Sequence, residues 1–112
     1  RADLASAQTR DSASIRGRVI EARLRARTRL KGTPWTMNAQ LPGAWLRHHS
    51  GIDASLIHQL DRLVDSGHSS MRGIDRMLRL AWTLADLEAA PRPTFDHIVA
   101  AQQLRNGADH YE

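Results

Sequence analysis

The chain has 112 residues, a length typical of one domain, and it carries 16 Lys and Arg residues against 12 Asp and Glu. It contains no cysteine, which excludes disulfide bonds and thiolate metal sites and agrees with a reducing compartment. No apolar run approaches the roughly 20 residues of a membrane span, and the start has neither an initiator methionine nor a signal-peptide pattern. We therefore expect a cytoplasmic fragment of a longer protein.

The positive charge is concentrated in the N-terminal part. Residues 1–32 have nine basic and three acidic residues, a net charge of +6, whereas residues 33–112 have a net charge of −2. Fifteen of the sixteen basic residues are arginine, whose planar guanidinium group can bind a phosphate or a carboxylate with two hydrogen bonds. A GC-rich genome would give the same excess of arginine, so the composition alone does not identify a ligand.

Helical spacing begins after a polar N-terminal segment. We expect residues 1–10 to be loose and a first helix to cover residues 12–31, with Asp11 or Ser12 as its cap. Residues 32–43 contain two prolines and two glycines, which is typical of a linker. The apolar residues of the first helix recur at steps of three or four: Ile15, Val19, Ala22, Ala26 and Leu30.

Two helices are predicted in the middle of the chain. A short one runs from Pro42 to about His49, since proline suits the first turn of a helix. The next begins at the cap Asp53 and stops at Gly67, because glycine reaches the left-handed conformation at little cost. Its apolar face comprises Leu56, Ile57, Leu60, Leu63 and Val64.

Two further helices complete the prediction. The fourth begins at Ser69 or Ser70 and has the widest apolar face, so we expect it to be central; that face comprises Met71, Ile74, Met77, Leu78, Ala81, Leu84 and Ala85. Prolines in "AAPRP" end it. Thr94 caps the last helix, which carries Phe95, Ile98, Ala101 and Leu104 and stops at Asn106–Gly107 before a loose tail, 108–112. The sequence thus predicts one domain over residues 11–107, an all-α bundle of four main helices plus a short one.

Most candidate sites have a simpler interpretation. The six histidines match no known metal-ligand spacing. "DSGHSS" brings serine, histidine and aspartate together, but a helix stop followed by a helix cap explains it better than a catalytic triad. We interpret Trp35, Trp45 and Trp82 as structural residues.

Arg72 has no simple explanation. It lies in the first turn of the fourth helix, where the helix dipole disfavours a cation. Arg72 could form an ion pair with Asp75, and Asp75 could form one with Arg79. Such pairs are weak and would not explain why Arg72 stands in the first turn. The backbone N–H groups of a first helical turn form a ready anion site, to which an arginine adds charge-assisted hydrogen bonds. We therefore expect Arg72 to bind a phosphate.

The basic first helix offers an alternative. It could bind nucleic acid through phosphates, or dock on an acidic protein partner. Alternate positions on a helix point around the whole cylinder, so these residues are not expected to form one stripe, and no aromatic residue interleaves them. The candidate residues are Arg16, Arg23, Arg25, Arg27, Arg29 and Lys31.

Four segments, in order, resemble the magnesium-chelatase-like ATPases of the ComM type. "SMRGIDRMLRLAWTLADLE" is similar to the family signature S-x-R-x-x-x-R-x-L-R-x-A-x-T-x-A-D-L, and "SASIRGRVIEAR" to S-x-x-I-R-x-R-V-x-x-A-R. "NAQLPGAWLR" and "FDHIVAAQQLR" resemble N-A-x-L-x-G-x-x-L-R and H-x-x-E-A-x-x-x-R. The resemblance covers about residues 11–105. One departure is Trp82, where the family usually has arginine.

The resemblance implies the C-terminal helical lid of an AAA+ ATPase. Arg72 would be the sensor-2 arginine, which reaches the terminal phosphate of ATP, and Arg76 would be a possible second phosphate contact. The cofactor would be ATP with magnesium in the parent chain, and the partners would be the AAA+ core of the same chain and neighbouring subunits of a hexameric ring. ComM-type members act on DNA as branch-migration helicases. Because the chain has no G-x-x-x-x-G-K-[ST] loop, we expect no ATP hydrolysis by this part alone.

Overall fold

Five α-helices joined by short loops form the part of the chain that the structure describes. It is a computed structural model, and it describes the backbone of residues 2–111 and the side chains of residues 11–107. Those residues form no strand, and the prediction of an all-α bundle with four main helices and a short one is confirmed. The helices are α1 (Ala2–Arg29), α2 (Gly43–His48), α3 (Ala54–Asp65), α4 (Met71–Leu87) and α5 (Phe95–Tyr111), with a 3-10 turn at Asn38–Gln40.

The central element is α4, as its wide apolar face predicts. It packs against all four other helices and the 3-10 turn. Met71, predicted to face inward, is 48% exposed, because it is the first residue of α4 and the core begins one turn later at Ile74. The buried residues of α4 are Gly73, Ile74, Met77, Leu78, Ala81, Trp82, Ala85 and Asp86.

The helix boundaries around α3 and α4 follow local chemistry. Asp53 caps α3 by accepting a hydrogen bond from the backbone N–H of Ser55 at 2.9 Å. Gly67, with φ of +80°, takes the left-handed conformation after α3. The hydroxyl of Ser70 accepts from the N–H of Gly73 at 3.0 Å and so caps α4. These three sequence predictions are confirmed.

Two helices are longer than predicted. α1 begins at Ala2 rather than at the expected cap Asp11 or Ser12, and α5 continues to Tyr111 past Asn106–Gly107. No proline interrupts either segment, and a single glycine costs only about 1 kcal/mol in a helix, too little to end one. The expectation that residues 1–10 and 108–112 are loose falls on segments whose side chains lie outside the described range, and it stays a prediction.

The last helix buries a narrower face than its pattern predicts. Ile98 and Ala101 are buried, whereas Phe95 and Leu104 are each more than half exposed. The reason is that α5 packs mainly on α4, so only one stripe of its surface is covered. Within the described range, none of the helices is both long and apolar enough to span a bilayer.

Candidate functional site

The first turn of α4 carries the residue that the sequence singles out. Ser70 is the cap, so Met71 and Arg72 are the first two helical residues. Their backbone N–H groups have no partner among the residues that the structure describes, as expected for the first turn of a helix. The Arg72 side chain is exposed. A cation therefore stands beside free N–H groups at the positive end of the helix.

A second arginine joins this end of α4 from α5. A Cβ atom built on Gly73 would lie 3.4 Å from Nη1 and 3.5 Å from Nη2 of Arg105, so the guanidinium group of Arg105 lies against the first turn. Across the described side chains, neither Arg72 nor Arg105 makes an ion pair. Sequence reasoning missed Arg105 as a site residue, although it is the final arginine of the last family motif. Only the packing of α5 on α4 shows that Arg105 lies beside the first turn of α4, which also carries Arg72.

The ion pairs that could have explained Arg72 are not formed. Asp75 instead accepts a hydrogen bond from Nη2 of Arg47 on α2 at 2.6 Å. Arg79 is half-buried and donates from Nε to the backbone oxygen of Leu41 at 2.8 Å. Arg76 is exposed and has no ion pair within residues 11–107. Within residues 11–107, Arg72 therefore has no ion-pair partner, and its side chain is exposed.

A close approach at Gly43 explains one motif glycine. A Cβ atom at Gly43 would lie 2.5 Å from Oδ1 of Asp75, so any side chain there would displace the carboxylate. Because Gly43 is the first residue of α2, Asp75 sits at the positive end of that helix. Arg47 then completes the arrangement from the last turn of α2. These residues anchor α2 on α4.

The opposite end of α4 carries a buried acid. Asp86 is 2% exposed and lies in the last turn, where the helix dipole disfavours an anion. Nη2 of Arg29 and Nδ2 of Asn38 donate to its carboxylate at 2.9 and 2.8 Å. Nη1 of Arg25 donates to its backbone oxygen at 2.6 Å. The guanidinium carbon of Arg29 also lies 3.8 Å from the ring centroid of Trp82. This network fastens α1 to α4.

The basic residues of α1 consequently divide into two groups. Arg25 and Arg29 are bound to Asp86 and do not form a surface with the others. Arg16, Arg23 and Arg27 are exposed, and their spacing of seven and eleven residues places them within about 40° of one another around the helix. Lys31 is exposed just beyond the helix. The basic residues therefore do not form one stripe, as expected, although Arg16, Arg23 and Arg27 share one side of α1.

Other polar groups serve the fold. Nδ1 of buried His97 accepts from the N–H of Thr94 at 3.0 Å, and Nε2 lies 3.2 Å from Glu88, which fixes the loop between α4 and α5. Trp35 and Trp45 pack edge to face, with ring centroids 5.7 Å apart. Over the described residues, no group of three or more potential ligands is placed to hold a metal ion.

Comparison with known proteins places the chain in a family. Residues 9–105 match the family described as "Magnesium chelatase, subunit ChlI C-terminal". Uncharacterized proteins from Mycobacterium tuberculosis and Mycobacterium bovis are 37% identical to the chain over 100 residues, which is 89% of this chain but 20% of each relative. No solved structure shows a significant match. Because the family match covers most of the bundle, the chain belongs to the magnesium chelatase ChlI C-terminal family.

Proposed function

We propose that this chain is the lid domain of an AAA+ ATPase and that Arg72 contacts the terminal phosphate of ATP bound in an adjoining core domain. The observation that carries the proposal is the pair of arginines, Arg72 and Arg105, at the positive end of α4 with no carboxylate paired to either among the described side chains. Membership of the ChlI C-terminal family supports the AAA+ setting.

The chemistry of this end of α4 suits a phosphate. The free N–H groups of Met71 and Arg72 can donate to phosphate oxygens, and the helix dipole favours an anion there. Arg72 adds charge-assisted hydrogen bonds that can be bidentate, and Arg105 adds a second positive charge from α5. Arg76, one turn further along α4, is a further candidate contact. Positive groups of this kind stabilise the charge that develops on a phosphoryl group during transfer.

In this proposal, the nucleotide-binding core belongs to another part of the parent protein. ATP and its magnesium ion would be held by a P-loop core, since this chain has no such loop. We propose that the parent protein is a ring-forming, hexameric motor of the ComM type, in which the lid contacts its own core and a neighbouring subunit. Its substrate would be DNA undergoing branch migration. The chain spans a fifth of the curated relatives it matches, so these properties would belong to the whole protein.

The test is the steady-state ATPase activity of the parent protein with single arginine variants. Arg72→Ala should lower kcat by at least about tenfold, equivalent to about 1.4 kcal/mol of transition-state stabilisation. Arg105→Ala should lower it less, because Arg105 approaches from the neighbouring helix. Arg62→Ala is the matched control, since Arg62 is exposed near the end of α3, whereas Arg79 is bound to Leu41 and is unsuitable. Equal turnover in all variants would refute the proposal.

A further inference from the structure

An apolar groove lies at the other end of α4. It has a volume of about 460 Å³ and runs between α1, the 3-10 turn and the last turns of α4. Its apolar lining comes from Val19, Ala22, Ala26, Met37, Ala39 and Leu87. We call this depression the α1 groove. It is about 22 Å along α4 from Arg72, counted as fifteen residues at 1.5 Å each.

Apolar side chains stand exposed in and beside the α1 groove. Met37 is 50% exposed at its edge, and methionine is a flexible, polarizable residue common on binding surfaces. Ile15 is 60% exposed and lies on the same side of α1 as Val19 and Ala22, four and seven residues further on. The apolar stripe that α1 buries against α4 therefore continues, uncovered, past the groove.

The rim of the groove is positively charged. Arg23 and Arg27 line it, and Arg16 extends the same face of α1. No ion pair involves these three arginines within the described residues. Asp86 is the only carboxylate that lines the groove, and Arg29 and Asn38 already bind it. A partner must therefore bring its own negative charge to match this rim.

We propose that the α1 groove binds an acidic amphipathic helix of a partner protein. Apolar side chains of that helix would fill the groove, and carboxylates on its flank would pair with Arg23, Arg27 and Arg16. The described residues offer no strand edge to which an extended peptide could add, so binding must come from side chains. The three arginines span about 16 Å along α1, about three turns of a helix.

The lining distinguishes this partner from a nucleic acid. Phosphate backbones need positive charge but gain little from an apolar floor made of Val19, Ala26 and Leu87. Bases need aromatic surfaces on which to stack, and none of the residues that line the groove is aromatic. A ligand that is apolar on one side and acidic on its edge can contact both the apolar lining and the arginines of the rim.

The test uses the 112-residue chain and a synthetic helical peptide with leucines on one face and glutamates on both flanks. Binding is followed by the methyl NMR signals of Met37, Ala22 and Ala26. We expect these signals to shift on titration, and the double variant Arg23→Glu/Arg27→Glu to weaken the affinity at least tenfold. Met37→Ala, at a position that is 50% exposed, should weaken the affinity several-fold. Arg62→Glu should leave it unchanged, since Arg62 is exposed on α3 and no residue of α3 lines the groove.

Charge reversal makes the result decisive. A peptide with lysine in place of each glutamate should bind the double variant better than the unmodified chain. The proposal is overturned if the acidic peptide does not bind, if it shifts signals away from the groove, or if Arg62→Glu weakens its binding as much as the double variant does. It is also overturned if short duplex DNA, and not the peptide, binds through Arg16, Arg23 and Arg27. None of these outcomes depends on nucleotide, so they are independent of the role of Arg72.

Discussion

Both ends of α4 carry a charge that the helix dipole disfavours, but the two charges differ in burial and in hydrogen bonding. At the C-terminal end, the anion Asp86 is buried and receives hydrogen bonds from Arg29 and Asn38. At the N-terminal end, the cation Arg72 is exposed and a second cation, Arg105, lies nearby. One unfavourable charge is compensated within the fold, whereas the other is reinforced.

The difference separates structural charges from functional ones. Breaking the network of Asp86 should destabilise the domain, because buried partners would be left without acceptors. Removing the Arg72 side chain should not destabilise the domain, because none of the described side chains forms an ion pair or a hydrogen bond with it. A charge that the fold does not compensate and does not need is a good candidate for binding a ligand.

The largest effect is expected at the C-terminal end. Asp86→Ala should lower the free energy of unfolding by about 3 kcal/mol, because Arg29 and Asn38 lose their buried acceptor. Urea unfolding followed by tryptophan fluorescence measures the change. Asp65→Ala is the control, since Asp65 is also in the last turn of a helix but is exposed, and it should change stability by less than about 0.5 kcal/mol. Equal effects would show that the network contributes little.

A smaller loss is expected at the anchor between α2 and α4. Gly43→Ala should destabilise the domain by about 1–3 kcal/mol, because the new methyl group displaces the carboxylate of Asp75 from Arg47. The matched control is Gly17→Ala, since nothing lies within 4 Å of the position of that methyl group on α1. Removing a mid-helix glycine there should stabilise by up to about 1 kcal/mol. Opposite signs in thermal unfolding would confirm the close approach, and equal signs would contradict it.

At the N-terminal end of α4, removing the charge is expected to increase the stability of the domain. Arg72→Ala in this chain should raise the free energy of unfolding by about 0.3–1 kcal/mol at low ionic strength, because a cation leaves the positive end of the helix. The gain should shrink as salt is added. Arg76→Ala, one turn further into α4, should have less effect. A loss of stability for Arg72→Ala would mean that the arginine supports the fold after all.

The smallest effect on stability is expected at the start of α3, where the charge of Asp53 has the sign that the helix dipole favours. The hydrogen bond from the backbone N–H of Ser55 lowers the pKa of Asp53 below its ordinary value. The ionised carboxylate thus contributes stability above the ordinary pKa, and this contribution is lost as the pH falls through the lowered pKa. Asp53→Asn keeps a capping group that does not titrate. The difference in free energy of unfolding between the unmodified chain and Asp53→Asn, measured by urea unfolding as a function of pH, should therefore diminish below about pH 4. A difference that does not change with pH would refute the role of the ionised cap.

Some of this architecture could be predicted from the sequence, and some could not. Local signals such as the cap Ser70, the stop at Gly67 and the apolar face of α4 each depend on a few neighbouring residues, and the structure has them in place. The position of Arg72 in the first turn of α4 followed from the same local reasoning. Its role as a phosphate contact came from the resemblance and remains a proposal.

Tertiary pairing was not predictable in this way. Asp75 could pair locally with Arg72 or Arg79, but the path of α2 brings Arg47 closer. Arg25 and Arg29 belong to the same basic run as Arg23 and Arg27, and only the position of Asp86 decides which of them turn inward. Arg105 is more than thirty residues from Arg72 in the sequence, and α5 brings it to the same end of α4.

The attachment of α1 has a mechanical consequence. The helix is 28 residues long, yet Ala22, Ala26 and Leu30 hold its C-terminal third and the turn that follows, while the side chains from Asp11 to Arg16 are exposed. Among the described side chains, those that attach α1 to the core lie towards its C-terminal end, so the described part of the helix forms a lever arm. A 10° rotation about Ala26 would move Ile15 by about 3 Å, since the two are about 16 Å apart along the axis. Small rotations of α1 near Ala26 are thereby enlarged at Ile15.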